Sequence, residues 1–532
     1  TGGSISQPNS TGYAINNTAT GIVNISSGTV SADNCSIYNV GEINITGGTV
    51  TGSDNAITNT GSGILNIENG TINTTTSSST VIRNQTNASI NMSDGNINVS
   101  KGYINYGINN TSSGTINITG GEISAITTSA DTSYKTYGIY STAGTINVGT
   151  NDGNVSGENP SILGTTNGIY ADCELNLYDV IIKGEGSAIS GNIASLDNMA
   201  ELVVGEETDT DENTYETVSL VAIDTPIASV NGTEYYNLKD AVDSISGTGI
   251  ISILREGTVG QFIEITSEKD ITIDLNGNTL HMYTPFENNG TFKITDSTSS
   301  SGDGSGVLTG YKDRAINNNE TFELLGGNIS DLTYGVYNND GGTVNISGGT
   351  LTNNEYGIYN VRGGIVNVTN GNLTGNTYGT FNYGGEINIS GGNITGNEYG
   401  IYNSTGTTNI SNLTLTGNNV DVCNGGSGTT NILSGEIIGN TSPVITTSTG
   451  RINIGTQDAT YNSNSPMIQG EEYGIVNTGS GTIAFYDGTI KGKVGSIQGY
   501  YLYTETGYRA QTNIIDGYYC DTLALSGTVT TI

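Results

Sequence analysis

Few side chains in this chain carry reactive chemistry, and their positions limit what that chemistry could be. The single histidine, His281, follows DLNGNTL. General acid–base catalysis needs such a group within hydrogen-bond reach of its partner. His281 has no surrounding cluster of Asp and Arg and reads as a packing or surface residue. The four cysteines, Cys35, Cys173, Cys423 and Cys520, are isolated, with neither metal-ligand spacing nor a disulfide framework. Glu355 and Glu398 recur in NNEYG and GNEYG. If the chain stacks, they lie two layers apart, about 9–10 Å, near the carboxylate separation of inverting glycosidases. Recurrence within a repeat explains them more simply. Asp209, Asp211 and Asn213 alternate like the opening of a calcium loop, but Thr214 replaces its glycine and Leu220 its glutamate. Ca²⁺ there is the one cofactor the residues suggest, and a solvated acidic connection is the simpler reading. The basic residues of the repeats, among them Arg83, Lys101, Lys135, Arg314, Arg362 and Arg451, do not sit amid several Asp. No catalytic residue is assigned.

A file of aromatics stands out more clearly. Tyr337, Tyr359, Phe381 and Tyr402 recur at spacings of 22, 22 and 21. If their rings face outward they form a ladder that could stack on sugar faces or on a partner surface. The competing expectation is a ladder that stacks on itself and stabilises its sheet. Cys423 occupies the next place in this file and reads as a packing substitute.

The elements that position these residues follow from the same spacing. Gly335, Gly357, Gly379 and Gly400 repeat at 22, 22 and 21, and Val344, Val366 and Ile387 at 22 and 21. Three independent markers with one period define a structural repeat. Each period holds three short segments, of V-N-I, T-L-T and G-I-Y-N type, in which apolar and polar residues alternate as in a strand. Gly-Gly and Asn-Gly pairs separate them as turns. The expected fold is therefore all-β: a parallel β-helix of ~22 residues and three short strands per coil. A helical repeat fails on glycine content and period, and a propeller blade would need roughly 40–50 residues.

Asparagine closes the G-I-Y-N segment again and again, at Asn17, Asn39, Asn59, Asn84 and Asn110, then Asn318, Asn338, Asn360, Asn382, Asn403, Asn424 and Asn477. Stacked coils place such amides about 4.8 Å apart, each able to donate to one neighbour and accept from the other. Asn338, Asn360, Asn382 and Asn403 are the expected core of this structural ladder. Sequons at Asn24, Asn44, Asn345, Asn388 and Asn409 arise from strand alternation.

Composition excludes several function classes. The chain has 532 residues, 79 of them Gly, no Trp, and a net charge of −35. Nucleic-acid binding needs a basic footprint, and an anionic membrane surface would repel this chain. There is no transmembrane run, signal peptide or lipidation signal in the sequence as it stands. It starts at Thr1, so we expect a segment of something longer.

The repeat breaks near Leu196 and resumes near Val307. We expect a first β-helix module over 1–200, an acidic connection over 201–225, a cap over 226–306, a second module over 307–500, and strands over 501–532 that lead to a further module. Leu238, Ala241, Val242 and Ile245 at i, i+3, i+4, i+7, behind Asn237 as N-cap, predict one short helix over 238–245. It would close the open end of the second stack. Insertions over Ser124–Lys135 and Asn151–Pro160 are expected as loops. The two halves end alike, LYDVIIKGEGSAISG and FYDGTIKGKVGSIQG, as in a tandem array. Bare ends docking head-to-tail into a fibre are the alternative.

The elements YYNLKDAVDSI, DLNGNTL and NGTFKITDS, with the coils after them, resemble the large adhesin-like surface proteins of Gram-positive gut bacteria and, in fold, the pectate-lyase-like right-handed parallel β-helix. The resemblance implies an extracellular or cell-surface location, with signal and anchor outside this segment. It implies a non-catalytic adhesin or stalk whose partners are a glycan or a host or neighbouring-cell surface protein. Within the fold class it also allows a self-assembling filament, or a lyase or hydrolase that would use clustered Asp with Lys, Arg or His.

Overall fold

The computed structural model describes residues 2–503 except 9–10, 77, 100–103, 128–133, 153–154, 157–158, 198, 299–304, 312, 440–441, 457–463, 487 and 500–501. The expected strands and next module over 504–532, Cys520, and much of both insertions lie outside the described residues. The chain is a right-handed parallel β-solenoid of about 21 turns with coils of ~22 residues. It divides into two compact units, Thr1–Thr225 with Gly260–Phe262, and the remainder from Pro226.

One coil shows how sequence becomes structure. Strands Thr343–Ile346, Thr350–Thr352 and Tyr356–Val361 follow one another around the turn. Val344, Leu351 and Tyr359 stand in register with Val366, Leu373 and Phe381 of the next coil. Inward residues Val344, Ile346, Leu351 and Ile358 are fully buried, so alternation along each strand builds one continuous core. The third face is a sheet of its own, broken between Asn393–Thr395 and Leu413–Thr416.

The glycine of G-I-Y-N is required by proximity. A Cβ on Gly335, Gly357 or Gly379 would sit 2.8, 2.6 or 2.5 Å from the carbonyl oxygen of the equivalent glycine in the next coil. The strand also departs from strict alternation there. In Tyr334–Asn338 both Gly335 and Val336 are buried, so Tyr334 and Tyr337 emerge on the same side.

The second unit opens with a cap. The antiparallel pair Ala228–Val230 and Thr233–Tyr235 precedes the helix Leu238–Asp243. Asn237 is its N-cap, its Oδ1 accepting from the backbone N–H of Asp240 at 2.8 Å. The helix ends two residues before the expected Ile245, with Ser244 as C-cap. Leu238, Ala241, Val242 and Ile245 are all buried. Phe286, Phe292 and Phe322 then fill the first coils beneath, with ring centroids 4.9 and 5.7 Å apart.

Residues 201–225 are not the solvated connection read from their charge. Ala200–Thr208 and Thr214–Ala222 form an antiparallel hairpin, and its second strand pairs antiparallel with Ile181–Gly184. Leu202, Val218 and Leu220 are fully buried. Glu206 and Glu207 are exposed and Glu201 and Glu216 partly so, and with its apolar side buried a charged sequence closes the last parallel edge of the first unit. An antiparallel partner there satisfies hydrogen bonds that a bare edge would leave open.

Candidate functional site

The feature with most chemistry on its surface is an aromatic lattice on the second unit. The file seen in the sequence, Tyr337, Tyr359, Phe381 and Tyr402, stacks with centroids 5.3, 5.1 and 4.8 Å apart and planes within 16°. A second file runs beside it: Tyr334, Tyr356, Tyr378 and Tyr399, with centroids 5.0, 5.0 and 5.2 Å apart and planes within 12°. Within each coil the two rings cross at 85–88°. Rings repeating every 5 Å can cross at that angle, without overlap, only when the files tilt in opposite senses, about 43° each. That leaves roughly 3.6 Å between stacked planes. The result is a herringbone of offset stacks and edge-to-face pairs, the two favoured aromatic geometries.

All eight rings are half-buried. Each inner ring has a neighbour over both faces, so the surface offers phenol hydroxyls and ring edges instead of open faces. At one end the Arg314 guanidinium carbon lies 4.3 Å from the Tyr337 centroid and 5.3 Å from that of Tyr334, a cation–π seat filled from within the chain. At the other end Cys423 is in register with Tyr402 and is buried. Burial pushes its thiol pKa up to about 12, which makes it an inert packing residue. Burial, with the Glu355 carboxylate beside it, pushes Tyr356 up to about 12, and burial does the same for Tyr359. Glu355 and Glu398 stand exposed along the edge of the lattice.

A smaller version occurs in the first unit. Tyr106 stacks on Tyr137 at 5.6 Å and Tyr140 on Tyr170 at 4.8 Å, with crossings of 57–68°. The signal for the second file was present in Y-G-x-Y spaced by the same repeat.

The asparagine positions resolve into three ladders. In the inner one, Asn288 donates to Asn318, Asn318 to Asn338, Asn338 to Asn360 and Asn360 to Asn382, at 2.6, 2.7, 2.8 and 3.3 Å. Asn403 leaves this line. The Asn382 amide donates to Thr408 Oγ1 at 3.3 Å, and that of Asn403 to Thr430 Oγ1 at 3.1 Å. In the first unit Asn17, Asn39, Asn59, Asn84 and Asn110 link in sequence at 2.8–2.9 Å. An outer ladder uses the middle residue of V-N-I. Asn44, Asn388 and Asn409, all in sequons, donate their side-chain nitrogens to Asn24, Asn367 and Asn388. A third, buried ladder joins Asn354, Asn376, Asn397 and Asn418. It ends on Asp421 Oδ1 at 2.9 Å.

The remaining candidates are placed plainly. Asp209 begins the hairpin turn and accepts from the backbone N–H groups of Asp211 and Asn213 at 2.9 Å, from the Asn213 amide at 3.0 Å and from the Tyr215 hydroxyl at 3.1 Å. These bonds, those from Asn213 foremost, hold its carboxyl below the usual range. Its oxygens serve the turn, and among the described residues no group of three His, Cys, Asp or Glu is arranged to hold a metal. His281 lies on a half-exposed strand, its Nε2 2.7 Å from Glu256 Oε1. Cys35, Cys173 and Cys423 are free thiols. No described helix is long and apolar enough to cross a membrane.

Comparison with protein-family models, with curated proteins and with solved structures finds no match for this chain.

Proposed function

We propose that the chain is a non-catalytic, extracellular or cell-surface β-helical protein that serves as a structural stalk or adhesin. One observation carries this reading: the recurrent functional-looking side chains, aromatic and amide alike, face their own copies in neighbouring coils. Side chains spent in this way give length, rigidity and uniform edges, which a stalk needs. A net charge of −35 supports solubility of an exposed, repetitive surface. The likeness to adhesin-like surface proteins and to pectate-lyase-like β-helices agrees with it at the level of fold.

Two assays on purified protein test the proposal. Labelled protein should bind whole bacterial or host cells, or should extend reach between two surfaces under force without loss of its fold. Incubation with pectins, glucans and mucin glycans should release no reducing ends and no unsaturated products. Product release would overturn the non-catalytic reading.

A further inference from the structure

The inner asparagine ladder changes character after Asn382, and the change exposes a binding site inside the core. In the column Phe322, Val344, Val366, Ile387, Thr408, Thr430, Ile452, two members carry a hydroxyl where the others are apolar. Val to Thr keeps shape but adds a group that must be hydrogen-bonded. Thr408 and Thr430 take the amide hydrogens of Asn382 and Asn403. The carbonyl oxygens of Asn403 and Asn424, which those amides would otherwise serve, are left without a protein partner. So are the hydroxyls of Thr380 and Thr446. Asn403, Asn424 and Thr446 are successive members of one register column, and Thr380 is two residues before Asn382. All six side chains have zero exposure.

A threonine hydroxyl that accepts one hydrogen bond still has its own hydrogen to place. Thr408 and Asn403 belong to one coil, as do Thr430 and Asn424, and in each pair a free donor faces the same ladder corner as a free acceptor. An unmet buried polar atom is expensive, and polar cavities in proteins are filled by water with two to four partners.

We infer that the second unit holds two buried water molecules in this corner. One accepts from Thr408 Oγ1 and donates to Asn403 Oδ1, with Thr380 Oγ1 as third partner. The other accepts from Thr430 Oγ1 and donates to Asn424 Oδ1, on the side of Asn424 that faces Asn403. The ladder thus continues through solvent for two coils and then gives way to Thr446.

A crystal structure of the chain at a resolution that shows ordered water tests this. Two density peaks are expected, each within hydrogen-bond distance of its Thr and Asn oxygens. The double variant Thr408→Val/Thr430→Val restores the residue type of the preceding coils, so folding is not at stake. In it both peaks should vanish, the amides of Asn382 and Asn403 should turn to the next asparagine oxygen, and the urea midpoint should rise. Direct Thr–Asn bonds without a peak, peaks that persist in the variant, or peaks that exchange for rubidium with an anomalous signal would each overturn the inference.

Discussion

Asp421 stands where the preceding coils have Gly335, Gly357, Gly379 and Gly400. It ends the buried ladder of Asn354, Asn376, Asn397 and Asn418. Its Oδ1 accepts from Asn418 and its Oδ2 has no protein partner. Burial without a counter-charge pushes its pKa up to about 6, against a carboxyl's ordinary 3.8. The neutral form is favoured in the fold, so this group's contribution is fully present below about pH 3.8 and is lost as the pH rises through about 6. Asp421→Asn removes that dependence. It should stabilise the protein by on the order of 2–3 kcal/mol at pH 7.5 and about half as much at pH 5, read from urea midpoints at the two pH values. A gain independent of pH would refute the account. Asn360 is the opposite case: its amide serves Gly364, Asn382 and Glu386, and its carbonyl accepts from Asn338. Asn360→Ala leaves several buried groups unmet and should cost about 2–4 kcal/mol, seen as a lower urea midpoint.

At the scale of elements, the aromatic lattice and the cap make separate predictions. A herringbone of stacked tyrosines couples its transitions and orders its rings, so near-ultraviolet circular dichroism should show a strong tyrosine signal. Tyr356→Ala interrupts one file and removes edge contacts to the other. It should reduce that signal by more than one ring's share and cost about 1–3 kcal/mol. Glycan arrays on Tyr359→Ala and Tyr402→Ala separate the two uses of the lattice. With inner faces closed by stacking, we expect no loss of glycan binding from Tyr359→Ala. In the cap, Asn237→Ala deletes the N-cap bond to Asp240 and should cost about 1 kcal/mol, measured as a shift in the urea midpoint. The cap helix was legible because apolar residues at helical spacing followed a capping residue. The acidic hairpin was not: Val218 and Leu220 alternate with Thr217, Ser219 and Val221 at the period of a strand, but the density of carboxylates nearby resembles a solvated linker.

For the whole molecule, charge governs solution behaviour. At neutral pH a charge of −35 holds copies apart. Near pH 4.1, the isoelectric value, that repulsion disappears while the uncharged Thr, Asn and Tyr surfaces remain. Light scattering should rise sharply as the pH falls toward that value and reverse on return to neutrality. Irreversible scattering would point to unfolding in place of association.

The division between what sequence and tertiary structure decided follows from how repeats encode a solenoid. Period, strand number and the inward positions of the V-N-I and T-L-T strands were determined by sequence alone, because a fixed residue spacing becomes a fixed stacking vector and alternation there decides which side chains share the core. The file Tyr337, Tyr359, Phe381 and Tyr402 was readable for the same reason. The second file has the same spacing, but its face was not readable, since Tyr334 emerges beside Tyr337 only where two consecutive buried residues break the alternation. Tertiary structure also decided where each amide hydrogen goes. Asn382 and Asn403 look alike in sequence to Asn338 and Asn360, yet a hydroxyl on the neighbouring strand, from Thr408 or Thr430, competes for their donors. That competition depends on distances across the coil, which spacing along the chain does not contain.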